Sequence, residues 1–327
     1  MRPSPARPRI YVTQPIAKSA IERLRKVGTV KVNPDSSRII AKKALVAAVR
    51  TCDILFCLLH DRIDRDVIAA NPKLRLVAAQ SISPSNIDVA AATAQRLPVT
   101  VVPPVTTEAT ADLTFGLMLA VARRIMEGDR LVRAGKFPGG QSSHLLGSFV
   151  WGKTIGLVGG GGLIGQAVAR RAHGFSMRVL YSTPRRKPES VEREAGLTFV
   201  PFDQLLAESD FVSLHASNLP DNKGMIDAKF FAQMKKTAYF INTSRGRMVD
   251  EQALAEALQR GTIAGAGIDV FFEEPLPLPS PFTALPNIIL TPHIAGGSRV
   301  GIIDEVAAVL GNCRAILNDG EIRHRVA

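Results

Sequence analysis

Three ionisable residues in the last third of the chain each follow an apolar run of the kind that forms a β-strand. Arg245 follows AYFINTS, Glu274 follows GAGIDVFFE and His293 follows NIILTP. Ligands of open parallel sheets collect beyond the carboxyl ends of the strands. We therefore expect these three side chains at one edge of a sheet.

Their side-chain types predict one kind of chemistry, although each alone is also typical of a surface or capping position. An arginine can clamp a substrate carboxylate and polarise the neighbouring carbonyl. A histidine can give a proton to the developing alkoxide or accept it in the opposite direction, and a glutamate beside it favours the imidazolium form. Arg245, Glu274 and His293 together therefore predict carbonyl reduction on a substrate that carries a carboxylate.

The remaining histidines are interpreted as surface or capping residues: His60, His144, His173, His215 and His324. His215 directly follows the apolar run FVSL, so it stays a candidate for the same sheet edge. His60 and Asp61 are adjacent and suggest a metal pair, but no further ligand has a useful spacing. We predict no metal.

A glycine-rich turn occupies residues 156–165, GLVGGGGLIG, between the apolar run TIGLV and the helical AVARRA. Strand, glycine turn and helix are the context of the dinucleotide fingerprint G-x-G-x-x-G, in which the pyrophosphate lies at the helix N-terminus. Gly160, Gly162 and Gly165 have this spacing, with Leu163 and Ile164 between them, and Gly159, Gly161 and Gly165 offer a second register. The turn predicts a dinucleotide site rather than a flexible linker, in either register.

The segment after the next strand, VLYSTPRRKPE, distinguishes two cofactors. NAD sites usually place an acidic residue about 20 residues beyond the glycines, to accept from the ribose hydroxyls. No acidic residue lies between Val179 and Lys187; the polar residues there are Ser182, Thr183, Arg185 and Arg186. These residues favour NADP(H) over NAD(H), and a solvated basic turn is the alternative.

Strand-like and helical segments alternate along nearly the whole chain, which is typical of parallel sheets covered by helices on both faces. The 327 residues exceed the size of a single core, so we predict two domains. The pattern at 107–135 predicts one long helix that bridges domains or forms a subunit interface. A last helix begins near residue 298 and packs on the first series.

Composition excludes several classes of protein. No apolar stretch approaches the length of a membrane span, and the basic arm MRPSPARPRIYV lacks the apolar core of a signal peptide. Cys52, Cys57 and Cys313 form neither a disulfide framework nor a metal spacing, so we predict reduced thiols in a cytoplasmic protein. The net charge of +12 is spread over helices. We predict neither a nucleic-acid nor a membrane partner, with polyanion binding as the alternative.

Three sequence blocks in the same order resemble the D-isomer-specific 2-hydroxyacid dehydrogenase family. They are GKTIGLVGGGGLIG, NTSRGRMVDEQALAEAL with GAGIDVFFEEPLP, and LPNIILTPHIAGG, and the similarity runs from about Arg9 to the C-terminus. The resemblance implies that Arg245 binds substrate and that Glu274 partners the acid–base His293. It also implies that Asp269 contacts the nicotinamide carboxamide and that residues 241–245, including Thr243, line the cofactor cleft.

The same resemblance implies the architecture and the assembly. It predicts a discontinuous flavodoxin-like α/β substrate domain, 1–104 with 295–327, around a Rossmann-type doubly wound domain, 105–294. Members of the family are commonly dimers joined through the cofactor domain, so we expect a homodimer.

The chain departs from the family pattern at three places. Where many members have G-x-G beside the substrate, QSISPSNID supplies Ser81, Ile82 and Ser83. The family holds the substrate carboxylate there with backbone N–H groups, which Ile82 and Ser83 retain. The usual proline-glycine is Pro103-Pro104, and the glycine turn is one residue longer than usual. These departures affect the identity of the substrate rather than the chemistry.

We therefore predict an NAD(P)H-dependent oxidoreductase that interconverts a small 2-oxo acid, such as glyoxylate or hydroxypyruvate, and a D-2-hydroxy acid. The alternative is a dinucleotide-sensing, corepressor-like binding protein without significant turnover. Formate dehydrogenases share the fold, but they carry an amide where this chain has Glu274, which suits a reaction without proton transfer.

Overall fold

The structure, a computed structural model, describes residues 7–103, 105–140, 143–216, 220–297, 299–317 and 321–327. The side chains at 220, 299–306 and 317 are not among the described parts. Most of the basic arm, residues 1–6, and Pro104 lie outside the described residues. The chain divides into two compact units, Met1–Val105 with Ser298–Ala327, and Thr106–Gly297.

The strands are short and mostly buried. They are β1 (Arg9–Val12), β2 (Thr29–Val32), β3 (Ile54–Leu58), β4 (Leu76–Gln80), β5 (Val99–Thr100), β6 (Thr154–Val158), β7 (Arg178–Ser182), β8 (Thr198–Phe199), β9 (Phe211–Leu214), β10 (Tyr239–Asn242), β11 (Gly265–Ile268) and β12 (Ile288–Leu290).

Helices alternate with these strands. They are α1 (Lys18–Val27), α2 (Lys42–Val49), α3 (Arg65–Ala69), α4 (Val89–Ala94), α5 (Thr107–Ala122), α6 (Ile125–Arg133), α7 (Leu163–Gly174), α8 (Glu189–Ala195), α9 (Phe202–Glu208), α10 (Ala228–Gln233), α11 (Glu251–Gln259) and α12 (Arg299–Leu317). Two 3₁₀ turns, η1 (Pro220–Asn222) and η2 (Gly246–Met248), lie before α10 and α11.

The first unit contains a five-stranded parallel sheet in the order β2-β1-β3-β4-β5. This is the order of flavodoxin-like folds. Residues of β3 alternate between two apolar clusters, with Leu55 and Cys57 in one and Ile54 and Phe56 in the other. The sheet is therefore buried on both faces, and the C-terminal helix α12 packs on it through Val309, Leu310 and Cys313.

The second unit contains a seven-stranded parallel sheet in the order β12-β11-β10-β9-β6-β7-β8. Numbered within the unit, this order is 7-6-5-4-1-2-3, which is the Rossmann order with one further strand. Helices cover both faces, because neighbouring residues such as Phe240 and Ile241 belong to opposite apolar clusters. The predicted fold class, two parallel α/β sheets with Rossmann-type and flavodoxin-like order, is confirmed.

Aspartate side chains begin several of the helices. Asp64, Asp88, Asp227 and Asp250 each accept a hydrogen bond from a first-turn amide of the helix that follows. This is the preferred N-cap arrangement, because it satisfies one of the amides that have no partner within the helix.

The prediction of one long helix over 107–135 is wrong, because the chain forms α5 and α6 with a break between them. Arg124 adopts a left-handed conformation with φ of +54°. The carbonyl oxygen of Ala122 accepts a hydrogen bond from the Ser148 amide at 2.8 Å. Insertion of a distant segment into the helical hydrogen-bond pattern is a recognised cause of helix interruption. The sequence pattern did not indicate Ser148 as this partner.

The three cysteines are buried and form no disulfide. Among the described residues, none of the helices combines the length and apolar character that crossing a bilayer requires.

Candidate active site

The three ionisable residues predicted at one sheet edge follow three neighbouring strands. In the register of the sheet, Asn242 at the end of β10 pairs with Ile268 of β11, and Ile268 pairs with Leu290 of β12. The three strands therefore end at the same level, and the connections that follow them carry Arg245, Glu274 and His293.

Glu274 and His293 form a direct pair. Glu274 Oε2 lies 2.7 Å from His293 Nδ1, and both side chains are largely buried, with 18% and 16% of their surface exposed. The other carboxylate oxygen of Glu274 accepts a hydrogen bond from the Phe271 amide at 2.9 Å. One carboxylate therefore orients the imidazole and is itself fixed by the backbone.

The backbone of His293 is in a conformation that few non-glycine residues adopt, with φ of +54°. Its amide donates to the carbonyl oxygens of Asp269 and Thr291, at 2.8 and 3.0 Å. Such a conformation persists only where the surroundings fix it.

The carboxylate of the fully buried Asp269 provides further contacts to the same loop. It accepts hydrogen bonds from the Ile294 and Ala295 amides, at 2.9 Å each, and from Thr291 Oγ1 at 2.6 Å. The resemblance implied a contact between Asp269 and the nicotinamide carboxamide. Within the described residues, every hydrogen bond that this carboxylate accepts comes from the loop that carries His293.

Arg245 extends from a short turn whose backbone is fixed by the buried Asn242. The Asn242 side chain accepts from the Ser244 amide at 2.9 Å and donates to the Arg245 carbonyl at 3.3 Å. Burial lowers the pKa of Arg245, and the nearby charge of Glu274 opposes this shift. The guanidinium is therefore half-buried beside a carboxylate, where it can meet a planar anion.

Gly246 allows the Arg245 turn to approach the Glu274 turn. A Cβ atom at Gly246 would lie 1.9 Å from the carbonyl carbon of Phe271, a distance that no side chain tolerates. Because Gly246 has no side chain, the connection that carries Arg245 can lie directly against the connection that carries Glu274.

The glycine turn makes the close contacts that a pyrophosphate turn requires. Gly162 precedes α7, and a Cβ at Gly165 in the first turn of that helix would lie 2.3 Å from the Gly160 carbonyl oxygen. A Cβ at Gly160 would lie 2.4 Å from Leu157 Cβ. Helix and strand thus approach through Gly160 and Gly165, and the first-turn amides at Leu163 and Ile164 lack partners within the helix. These residues fit a dinucleotide pyrophosphate.

Arg186, one of the residues predicted to bind a 2′-phosphate, is held by an acidic residue of α8. Its guanidinium makes two hydrogen bonds of 2.8 Å to Glu192, which also accepts from the Tyr181 hydroxyl at 2.6 Å. Arg186 and Tyr181 lower the pKa of Glu192 to about 2. Arg185 is exposed and is not part of this network.

Ser182 and Thr183 both make hydrogen bonds at the start of the turn after β7. The Ser182 carbonyl accepts from the Gly159 amide at 2.9 Å, and Thr183 Oγ1 donates to the Arg185 carbonyl at 2.7 Å. The turn after β7 is thereby joined to the glycine turn after β6.

His215 and Thr243 follow β9 and β10 and are also predicted cofactor residues. The His215 ring lies 2.9 Å from Ser213 Oγ, its amide donates to Val158 at 2.7 Å, and burial lowers its pKa to about 4. Thr243 is buried, with its hydroxyl 2.9 Å from Thr114 Oγ1. Both therefore have intramolecular partners at the predicted edge.

The predicted substrate residues Ser81, Ile82 and Ser83 belong to the first unit, where they follow the carboxyl end of β4. Ser81 Oγ donates to the Ser83 carbonyl at 2.8 Å, and the Ser81 carbonyl accepts from the Val102 amide at 3.0 Å. The Ile82 side chain is 39% exposed.

Two residues of the second unit lie at the candidate site but were not predicted from the sequence. Lys187 lies over the glycine turn, because a Cβ at Gly161 would be 2.7 Å from Lys187 Cε. Glu251 accepts a hydrogen bond from the Phe272 amide at 2.8 Å. Burial raises the pKa of Glu251, and the charge of Glu274 raises it further. The basic run RRK was a signal for Lys187, whereas no sequence pattern indicated the contact of Glu251 with Phe272.

Known proteins are similar to this chain over nearly its full length. Residues 115–295 match the family described as D-isomer specific 2-hydroxyacid dehydrogenase, NAD binding domain. A glyoxylate reductase of Korarchaeum cryptofilum is 44% identical over 294 residues, which cover 90% of this chain and 88% of the relative.

Two solved structures show the same relationship. A Thermus thermophilus protein has a TM-score of 0.89 and 38% identity, with 98% of this chain and 100% of that chain covered. An NADPH-dependent glyoxylate/hydroxypyruvate reductase of Sinorhizobium meliloti has a TM-score of 0.82 and 30% identity, with 98% of each chain covered. The chain therefore belongs to the D-isomer-specific 2-hydroxyacid dehydrogenase family, whose members are oxidoreductases that bind a nicotinamide dinucleotide and act on 2-oxo and 2-hydroxy acids.

Proposed function

We propose that this enzyme is an NADP(H)-dependent reductase of small 2-oxo acids, with glyoxylate and hydroxypyruvate as its first candidate substrates. The observation that carries the proposal is the Glu274–His293 pair, at 2.7 Å, formed between the connections after β11 and β12, next to the connection that bears Arg245. The relatives named glyoxylate reductase support this choice among 2-oxo acids.

Each residue of the site has one task in the reaction. Arg245 binds the substrate carboxylate through its planar fork of donors. Since Nδ1 of His293 is engaged by Glu274, His293 gives its proton from Nε2 to the oxygen of the carbonyl being reduced. Glu274 fixes the ring and balances the positive charge of the imidazolium. The reduced nicotinamide, when bound, supplies the hydride to the carbonyl carbon. The roles of Ser81, Ile82 and Ser83 in substrate binding, and of Asp269, His215 and Thr243 in cofactor binding, stay predictions.

The preference for NADP(H) is proposed from the turn after β7. The described part of this turn carries no carboxylate that could accept hydrogen bonds from the ribose hydroxyls. The nearby Glu192 already accepts two hydrogen bonds from Arg186. Arg185 is exposed, and Lys187 lies over the glycine turn. We therefore assign the 2′-phosphate to Arg185 and Lys187, with Arg186 holding the turn.

The experiment that tests this function uses the purified chain with NADPH or NADH and a panel of 2-oxo acids, followed by absorbance at the nicotinamide band. We expect oxidation of NADPH with glyoxylate or hydroxypyruvate, and a lower kcat/KM with NADH. Retained NADPH binding without turnover on any 2-oxo acid would contradict the proposal and favour the alternative of a dinucleotide-sensing binding protein.

We also propose that the enzyme is a homodimer joined through the second unit. The chain segment from α6 to residue 151 exposes several large apolar side chains, each at least 42% accessible: Ile125, Met126, Val132, Phe137, Leu146, Phe149 and Trp151. Met126 also lines a cavity of about 450 Å³ between α5–α6 and residues 282–290. Exposed apolar surface of this extent is typical of an interface.

Light scattering during gel filtration tests the dimer. The chain should elute at twice its mass of 35.2 kDa, and Phe149→Asp with Trp151→Asp should shift it to the monomer. A monomeric wild-type chain at micromolar concentration would contradict the proposal.

A further inference from the structure

Glu251 lies at the start of α11 and contacts the turn that carries Glu274. Asp250 is the N-cap of this helix and accepts from the Ala253 amide at 3.0 Å, so Glu251 itself is not needed as the cap. Its carboxylate accepts instead from the Phe272 amide at 2.8 Å, across a sequence separation of 21 residues. The bond therefore joins two connections of the sheet rather than stabilising its own helix.

Two successive amides of this turn donate to two different carboxylates. The Phe271 amide donates to Glu274 at 2.9 Å, and the Phe272 amide donates to Glu251 at 2.8 Å. The two amides belong to the planar peptide units on either side of the Phe271 Cα atom, so the two hydrogen bonds together restrain the φ and ψ angles of Phe271. The backbone at Phe271, whose amide holds Glu274, is thus also fixed by Glu251 through the next amide.

Glu251 also belongs to the connection that carries Arg245. That connection runs from Arg245 through η2 to Glu251, and Gly246 within it contacts the backbone of Phe271. The contacts at Gly246 and at Glu251 therefore both join the two connections. Both connections carry residues assigned above to the reaction.

We propose that Glu251 is a positioning residue, whose carboxylate fixes the turn at Phe271 and Phe272 and thereby the placement of Glu274 against His293. This inference rests on the proposed reduction of 2-oxo acids. It adds to that reaction a carboxylate that contacts neither substrate nor cofactor.

Three variants and one control of the full-length chain test the role of Glu251. Glu251→Gln keeps an oxygen that can accept the hydrogen bond from the Phe272 amide. Glu251→Ala removes this oxygen, and Glu251→Asp shortens the side chain by one methylene and moves the oxygen away from the amide. Glu273→Ala removes an exposed carboxylate from the same turn that accepts no hydrogen bond from the described residues. For each protein, kcat and KM are measured with NADPH and glyoxylate, together with Tm and hydrogen–deuterium exchange over residues 270–276.

We expect Glu251→Ala to lower kcat by about 10- to 100-fold, because small displacements of catalytic groups have effects of this size. The KM for glyoxylate should change by less than about threefold and exchange at residues 270–276 should accelerate. Glu251→Gln and Glu273→Ala should stay within about threefold of the wild-type kcat. If Glu251→Ala does not fold, Glu251→Asp should show the same loss of kcat.

Equal losses of kcat in Glu251→Gln and Glu251→Ala, or a normal kcat in Glu251→Ala, would overturn the positioning role. Failure of the proposed function is distinguishable, because a wild-type chain without turnover shows it directly. In that case the exchange measurement alone decides the placement: unchanged exchange at residues 270–276 in Glu251→Ala overturns it, and faster exchange supports it.

Discussion

At the scale of single residues, the conformation of His293 depends on contacts made by Asp269. The backbone carbonyl of Asp269 accepts from the His293 amide, and its carboxylate accepts from the two amides that follow. A buried carboxylate that accepts several amide hydrogen bonds is strongly held. This explains how a histidine with φ of +54° persists at the candidate active site.

Substitution of the two ionisable residues proposed to contact substrate tests their roles. His293→Ala should lower kcat by about 100- to 10,000-fold, because general acid catalysis contributes on this scale. Arg245→Ala should lower kcat and also raise KM for the 2-oxo acid. Arg245→Lys should recover little, because an ammonium lacks the planar fork of donors. Steady-state kinetics check this, and near-normal turnover of either alanine variant at saturating substrate would contradict the assignment.

The two arginines after β7 should behave differently. Arg185→Ala should raise the Kd of NADPH at least about tenfold and leave that of NADH nearly unchanged, because it removes only the charged hydrogen bond proposed for the 2′-phosphate. Arg186→Ala should weaken both cofactors, because it releases Glu192 from its two 2.8 Å hydrogen bonds and loosens the whole turn.

Titration of cofactor fluorescence with NADPH and NADH measures both effects. Equal losses for the two cofactors in Arg185→Ala would mean that Arg185 does not contact the phosphate.

At the scale of the elements, the connections after β10, β11 and β12 carry the site, and a close backbone contact joins the first two of them. Gly246 in η2 approaches Phe271 so closely that a methyl group has no room. The glycine therefore sets the distance between the connection with Arg245 and the connection with Glu274.

Gly246→Ala should accordingly reduce both stability and turnover. The added methyl group must push the two connections apart, at a cost of about 1 to 3 kcal/mol in unfolding free energy. We expect at least a tenfold fall in kcat, since displacements of about 1 Å already reach that scale. Gly174→Ala is the matched control, because nothing lies within 4 Å of a Cβ at that position of α7. Chemical denaturation and kcat measure the effects, and a fully active, stable Gly246→Ala would contradict this account.

At the scale of the whole molecule, stability should depend on pH through the burial of His215. Burial lowers the pKa of His215 from 6.5 to about 4. Between these values the unfolded chain binds the proton and the folded chain does not. The free energy of unfolding should therefore be largest above pH 6.5 and should fall as the pH is lowered towards 4, by at most about 3 kcal/mol from this residue.

Urea denaturation at several pH values measures this slope. His215→Gln should reduce the slope between pH 4 and 6.5, whereas the same substitution at the exposed His144 should leave it unchanged. An unchanged slope in His215→Gln would show that another group causes the pH dependence.

Much of the fold could be predicted from the sequence, because apolar strands, glycine turns and helix caps are local features. The runs TIGLV and NIILT predict strands, and the glycines before α7 predict a tight turn against a helix. The break between α5 and α6 could not be predicted in this way. It depends on a hydrogen bond from Ser148 to Ala122, between residues that the chain brings together only on folding.

The sequence alone determined the fold class, the family and the types of residue that could reduce a 2-oxo acid, because these depend on short motifs in a fixed order. Only the tertiary structure decided how those residues are held. It placed Glu192 on Arg186, Asp269 on the loop of His293 and Glu251 on the turn of Glu274. Asp269 and Glu251 accept hydrogen bonds from amides 26 and 21 residues away, so their partners are set by the packing of helices and strands. Glu192 contacts Arg186 across the start of α8, in a geometry that the residue types alone do not indicate.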